Sequence, residues 1–290
     1  MASSRTGGVC ARQRPADREP APAPGPDRQR GKGDDRLRRP QALPAGAGDS
    51  GPRFLVSQDD VEDTEARHHD GQSVVDVRAG EQLTERDALM AILLPSANNV
   101  SLLVARQVSG SVAAFVAEMN RTARSLGMSH TTYTDPSGYD DGTVSTALDQ
   151  LRLAQVVAKD ETLAAMMATR SYWLPVAGEV NNTNALLGQD GFVGMKTGSD
   201  EAAGGCLMFR AVWPTASGNR SLIGVVLGQR GDNLLTAGLY AAKQLADRLA
   251  PNASGTSGRL SVGQPGLAPP AGAFRPRIEN RIPAGNTPVP

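Results

Sequence analysis

The feature that most constrains this chain is an abrupt change in what it can bury. Residues 1–50 hold nine Arg and seven Pro, and no aromatic residue precedes Phe54. Apart from Ala, their only apolar side chains are Met1, Val9, Cys10, Leu37 and Leu43. Such a segment cannot bury enough surface to offset its chain entropy, so disorder is expected there. Residues 251–290 carry eight Pro and six Gly and read as a second disordered extension. Folding is therefore expected over 51–250, the size of one ordinary domain.

Within that span the apolar pattern first has a helical period. Thr84 is placed to cap a helix that runs to Leu94 and is stopped by Pro95. A second helix is expected over Val100 to Val108. Ser111 can cap a third, with Val112, Phe115, Val116, Met119, Ala123 and Leu126 on one stripe and Gly127 closing it. Further helices are expected over Ser145 to Lys159 and Glu161 to Arg170, the latter burying Met166 and Met167. The pattern then shortens to strand-like runs at Tyr172–Val176, Phe192–Lys196, Gly205–Val212 and Leu222–Leu227. A closing helix spans Asp232 to Leu249. Helices first, strands later and a last helix predict an α/β (α+β) fold, with a helical region beside an antiparallel sheet.

Charge and composition exclude several functions. Thirty basic residues balance thirty acidic ones. No nucleic-acid partner is expected, since phosphate neutralisation needs a basic stripe. No run of 18 apolar residues is present, so no transmembrane helix is expected. The first 20 residues lack an apolar core, so no secretory signal is expected either. Two cysteines cannot form a disulfide framework, and Cys206, in a strand-like run, is expected to be a buried thiol. His68 and His69 are expected in an exposed loop. No metal site and no cofactor are expected.

Two short motifs carry chemistry. Ser96-Ala97-Asn98 lies between two helices, where its bland reading is a helix cap. Lys196-Thr197-Gly198, followed by Ser199, ends a strand, where its bland reading is a turn. Asp135-Pro136-Ser137-Gly138 reads as a β-turn, and Asn182-Thr183-Asn184 more as a helix cap than as a cleft wall. Each motif is weak alone. In this order, 100 residues apart, with one on a loop and one on a strand, they say more.

With these motifs, and with Arg78–Thr84, Leu93–Asn99, Leu126-Gly127-Met128, Thr134–Gly138, Asn182–Leu187, Gly191–Gly198 and Ala203–Cys206 around them, the chain resembles the D-alanyl-D-alanine carboxypeptidases. These are low-molecular-mass penicillin-binding proteins, serine peptidases of type S11. The resemblance runs from about Phe54 to Leu249. It implies a serine β-lactamase/penicillin-binding-protein-like fold and a peptidoglycan stem peptide ending in D-Ala-D-Ala as substrate. It also implies β-lactams as inhibitors and action outside the cytoplasmic membrane. Lys196 and Thr197 match the residues that hold the substrate carboxylate. The Ser199 N–H matches half of the oxyanion hole. Ser96 matches the proton relay to the leaving amine, and Asn98 the amide that binds the substrate backbone and orients the catalytic lysine. Gly198 lets the substrate lie against the strand as an added β-strand.

The family's first motif is missing. Ser-x-x-Lys needs a serine three residues before a lysine, and Lys32, Lys159, Lys196 and Lys243 are preceded at that distance by Gln29, Val156, Val193 and Tyr240. One GC-leaning coding of Pro26–Arg36, read one base later, gives Pro-Thr-Ala-Ser-Val-Ala-Lys-Val-Met-Thr, the segment such an enzyme would carry. A frameshift, corrected between Pro44 and Phe54, is therefore expected; an unrelated head on a truncated relative is the alternative. As written, the chain is expected to lack the nucleophile and its helix, to be poorly stable, and not to acylate. Two other readings remain open. One is a non-catalytic binder of peptidoglycan peptides. The other is a serine β-lactamase relative, against which stands the lack of a convincing deacylating Glu loop around Glu161 or Glu179.

Overall fold

The computed structural model describes residues 51–250 and the backbone of Arg12–Gln13. The expected disorder of both ends, the shifted-frame segment and the nucleophile helix lie outside the described residues. The chain order begins with β1 (Arg12–Gln13), β2 (Arg53–Leu55), α1 (Gln58–His69), β3 (Gln82–Thr84), α2 (Glu85–Leu93), α3 (Asn98–Ser109) and α4 (Val112–Ser125). Then come β4 (Val144–Ser145), α5 (Ala147–Val157), α6 (Glu161–Met167), β5 (Ser171–Leu174), β6 (Gly178–Asn181) and β7 (Phe192–Gly194). The chain closes with β8 (Thr197–Asp200), β9 (Gly204–Thr215), β10 (Gly218–Gln229) and α7 (Leu234–Leu249). This is the expected α/β architecture: a mostly helical first part and an antiparallel sheet.

The sheet is built on β9, which pairs with β10 on one side. Along its other side lie β7 and then β8, one edge interrupted at Met195-Lys196. The alternation of Leu207 and Phe209 turns one face of β9 toward α7, where they pack with Phe192, Ala242 and Ala246. The helix approaches so closely that a side chain at Gly205 would collide with the Leu234 carbonyl, which explains the glycine there. Met208 and Met195 face the opposite side and pack with Met167 and Ala154 of the α6 and α5 helices. The Met166-Met167 pair is core, as expected.

The helical part has its own core, which gathers Phe54, Val75, Leu83, Ala88, Ala91, Val100, Leu103, Leu174 and Val180. Thr84 caps α2 in a reciprocal pair with Asp87, as its position implies. Ser111 caps α4, but that helix is less buried than its stripe suggests: only Ala123 is fully covered.

Three expectations need correction. A helix was not expected over Gln58–His69, yet α1 forms, capped by Ser57 and Asp60, and places His68 and His69 on its exposed last turn rather than in a loop. The strands are more numerous than expected, since β5 turns back as β6 and β8 follows β7; β9 and β10 run longer than their expected spans, while β5 and β7 are shorter. Cys206 is fully buried but disulfide-bonded rather than a free thiol.

Candidate active site

Pro95 ends α2, and the chain must turn before α3 begins. It does so through Ser96, whose φ of 65° is left-handed, a region that costs a non-glycine residue about 1–2 kcal/mol. The α3 helix has Ala97 at its N-cap and no side-chain cap bond. Ser96 is therefore not used as a cap, and the bland reading of the Ser-x-Asn motif fails. Strain held at a buried polar residue is a mark of functional sites.

The start of α3 is held from the side instead. The Asn98 backbone N–H donates to Ser73 O at 2.8 Å. The Asn99 side chain exchanges two hydrogen bonds with the Val75 backbone and donates a third to Thr64. Asn98 Nδ2 donates to Gln72 Oε1 at 3.1 Å. Asn98 is 1% exposed, so its amide is held rigidly in a polar seam between α1 and α3.

The second motif sits where β7 gives way to β8. Lys196 O accepts from Met208 N–H, which keeps the interrupted edge attached to β9. Thr197, Gly198 and Ser199 are all buried. The edge where an added substrate strand was expected is therefore covered. Lys196 Nζ donates to Thr197 O at 3.0 Å. Among the described residues no carboxylate pairs with it. Burial alone pulls its pKa from 10.5 down to about 7, because a cation without a counter-ion is costly away from water.

One residue joins the two motifs. Thr183 donates its backbone N–H to Leu94 O at 3.2 Å, just ahead of Pro95-Ser96, and its hydroxyl reaches the same oxygen at 3.3 Å. That hydroxyl also pairs with Thr197 Oγ1. Thr183 therefore clamps the Ser-x-Asn loop to the Lys-Thr-Gly strand. Its neighbours hold it in place: Asn182 Nδ2 donates to Met167 O and Thr169 O, and Asn182 Oδ1 accepts from Asn184 N–H. The helix-capping reading of Asn182-Thr183-Asn184 is thus overturned; the segment lines the junction. Nothing in the sequence near Thr183 signals this role, since its partner Leu94 is 89 positions away.

Asp135-Pro136-Ser137-Gly138 is a turn, as expected. Asp135 Oδ2 accepts from the Ser137 and Tyr139 backbone N–H groups. It lines a cleft of about 730 Å³ with Asp140, Asp141, Arg67, Asp200 and Glu201. The cleft opens at the far end of β8, and Ser96, Asn98 and Lys196 are not in its lining. Among the described residues no group of three or more His, Cys, Asp or Glu side chains is placed to hold a metal ion.

The family model for D-alanyl-D-alanine carboxypeptidase matches residues 53–231, more than half of the chain. The chain is 30% identical over 185 residues to the D-alanyl-D-alanine carboxypeptidase DacF of Bacillus subtilis, covering 60% of this chain and 45% of that one. It is 32% identical over 148 residues to a D-alanyl-D-alanine endopeptidase of Escherichia coli, covering 47% and 46%. It spans about half the length of these curated relatives. In three dimensions it superposes on the Streptomyces K15 DD-transpeptidase with a TM-score of 0.59 at 24% identity, covering 67% of this chain and 77% of that one. It superposes on penicillin binding protein 5 of Haemophilus influenzae with a TM-score of 0.59 at 22% identity, covering 68% and 55%. The two structural likenesses establish the shared fold. The family match, over the stretch that carries both motifs and the Thr183 clamp, establishes that the chain belongs to the D-alanyl-D-alanine carboxypeptidase family of S11 serine peptidases.

Proposed function

We propose that this domain recognises the C-terminal D-Ala-D-Ala of peptidoglycan stem peptides, as a serine-type D-Ala-D-Ala carboxypeptidase of peptidoglycan maturation does. The observation that carries this reading is Lys196. It is a buried ammonium with no carboxylate partner among the described residues. A substrate carboxylate supplies the missing charge, and its charge-assisted hydrogen bond to an ammonium already out of water offsets the carboxylate's own desolvation. Thr197 adds a hydroxyl beside it, which can donate to the carboxylate while it accepts from Thr183 Oγ1. Asn98 binds the peptide backbone, and the Ser199 N–H supplies half of an oxyanion hole. Ser96 relays a proton toward the leaving amine.

Acyl transfer needs a nucleophile as well, and the 290 residues contain no Ser-x-x-Lys. The chain as written therefore stops at recognition. One GC-leaning coding of Pro26–Arg36, read one base later, contains the motif, and a chain carrying it would return the full hydrolytic cycle. Since stem peptides lie outside the cytoplasmic membrane, the proposed place of action is the cell envelope.

The test is a titration of the full chain, followed by NMR, with diacetyl-Lys-D-Ala-D-Ala and with its L-Ala-L-Ala isomer. Saturable shifts at Lys196, Thr197 and Asn98 with the D,D peptide alone support the reading. Equal or absent responses to the two isomers overturn it.

A further inference from the structure

The seam behind Asn98 contains a chain of donors and acceptors with only one self-consistent assignment. Arg67 Nε and Nη2 donate to the two oxygens of Asp63, at 2.7 and 3.0 Å, which fixes the guanidinium plane. Its Nη1 then reaches the Gln72 side chain at 3.1 Å. A guanidinium can only donate, so the Gln72 atom facing it must be the oxygen. The same Gln72 Oε1 lies 3.1 Å from the Asn98 amide. An oxygen already accepting from Arg67 must accept again, so the Asn98 atom facing it is Nδ2. Amide orientations are otherwise interchangeable, but here a permanent cation two side chains away removes the ambiguity.

We propose that Arg67 and Gln72 are positioning residues that set the orientation of the Asn98 amide. This rests on the reading of Asn98 as a substrate-binding group. With Nδ2 directed to Gln72, Oδ1 is left as the acceptor, and no described residue donates to it. A flipped amide would exchange acceptor for donor at the substrate's backbone and oppose binding. Arg67 does not touch the peptide in this account; it acts by dictating which end of Gln72 meets Asn98. Gln72 and Asn98 are buried, at 8% and 1% exposure, so water cannot readily take over either role.

The experiment compares the full-length wild-type chain with Arg67→Met, Gln72→Glu and the double variant. Arg67→Met frees Gln72 to flip, and affinity for diacetyl-Lys-D-Ala-D-Ala is expected to fall about tenfold, the scale of one buried hydrogen bond. Gln72→Glu presents acceptors only and is expected to stay within about threefold of wild type. The decisive result is rescue: Gln72→Glu in the Arg67→Met background recovers affinity, because a carboxylate needs no arginine to present an oxygen. A merely structural loss would not be repaired this way. A second readout needs no peptide. The Asn98 side-chain amide protons, followed by NMR hydrogen exchange, are expected to be protected in wild type and in the double variant and unprotected in Arg67→Met. Unchanged protection in Arg67→Met overturns the inference whether or not the peptide binds. So does a double variant as weak as Arg67→Met. If protection follows the predicted order while no chain binds the peptide, the positioning inference stands and the D-Ala-D-Ala reading fails.

Discussion

Replacing Thr183 with valine tests whether the two motifs are held together as described. The backbone bond from residue 183 to Leu94 O survives the change, and the 3.3 Å hydroxyl contact to the same oxygen is long enough to contribute little. What is lost is the partner of Thr197 Oγ1. Thr197 is 1% exposed, so its hydroxyl is left in a place water does not reach. Orphaning such a group costs about 1–3 kcal/mol. For a domain of this size that is a fall in Tm of about 2–4 °C per kcal/mol. Thr197→Val alone leaves the Thr183 hydroxyl its long contact to Leu94 O, and Thr183 is only half-buried and can find water, so a smaller cost is expected. Thr183→Val/Thr197→Val removes both hydroxyls and is expected to cost less than the sum of the single changes by about 1 kcal/mol. Urea unfolding of the four proteins measures the cycle. Strict additivity, or a Thr183→Val protein within about 0.3 kcal/mol of wild type, would refute the clamp.

Four other outcomes follow from the same geometry. Lys196 has a folded pKa near 7 against 10.5 when unfolded, so between those values the unfolded chain holds a proton that the folded chain does not. Stability is therefore expected to rise with pH across that window and to be lowest below about 7, and Lys196→Met is expected to flatten the slope in pH-dependent unfolding. Peptide affinity runs the other way, falling above pH 7 as the ammonium is lost. Asp149 is fully buried and accepts from His130 N–H, Thr131 Oγ1 and Arg152 Nη1, so Asp149→Ala is expected to destabilise the domain by about 3 kcal/mol in the same assay. Incubation with a fluorescent penicillin is expected to leave no covalent adduct in the intact mass spectrum; an adduct that disappears in Lys196→Met would contradict the missing nucleophile.

The parts of this fold that were legible in the sequence are those whose signal is local. The α2 helix announces itself through Thr84, Asp87 and Pro95, and α7 through its apolar stripe. The α1 helix was missed because Gln58–His69 is almost wholly polar; its only local sign is the capping pair of Ser57 and Asp60. It is stabilised mainly from outside, through Thr64 to Asn99 and Asp60 to Arg106. The two motifs were legible as residue types, and the fold they implied is the fold observed. Their junction was not legible, because Thr183 and Gln72 reach Thr197, Asn98 and Leu94 across 14 to 89 positions of sequence, and Arg67 acts only through Gln72, by ordinary hydrogen bonds that no motif records. Nor could periodicity show that β8 is covered, since burial of an edge depends on what the rest of the chain lays over it.

The central claim is recognition of D-Ala-D-Ala without turnover by the chain as written. One NMR sample of the full-length protein with diacetyl-Lys-D-Ala-D-Ala tests both halves, since bound peptide shifts protein resonances and hydrolysis releases free D-Ala. The account predicts saturable shifts around Lys196 and Thr197 that Lys196→Met abolishes, with no D-Ala released over days. Release of D-Ala that depends on Lys196, or a protein spectrum that the peptide leaves untouched, would contradict it.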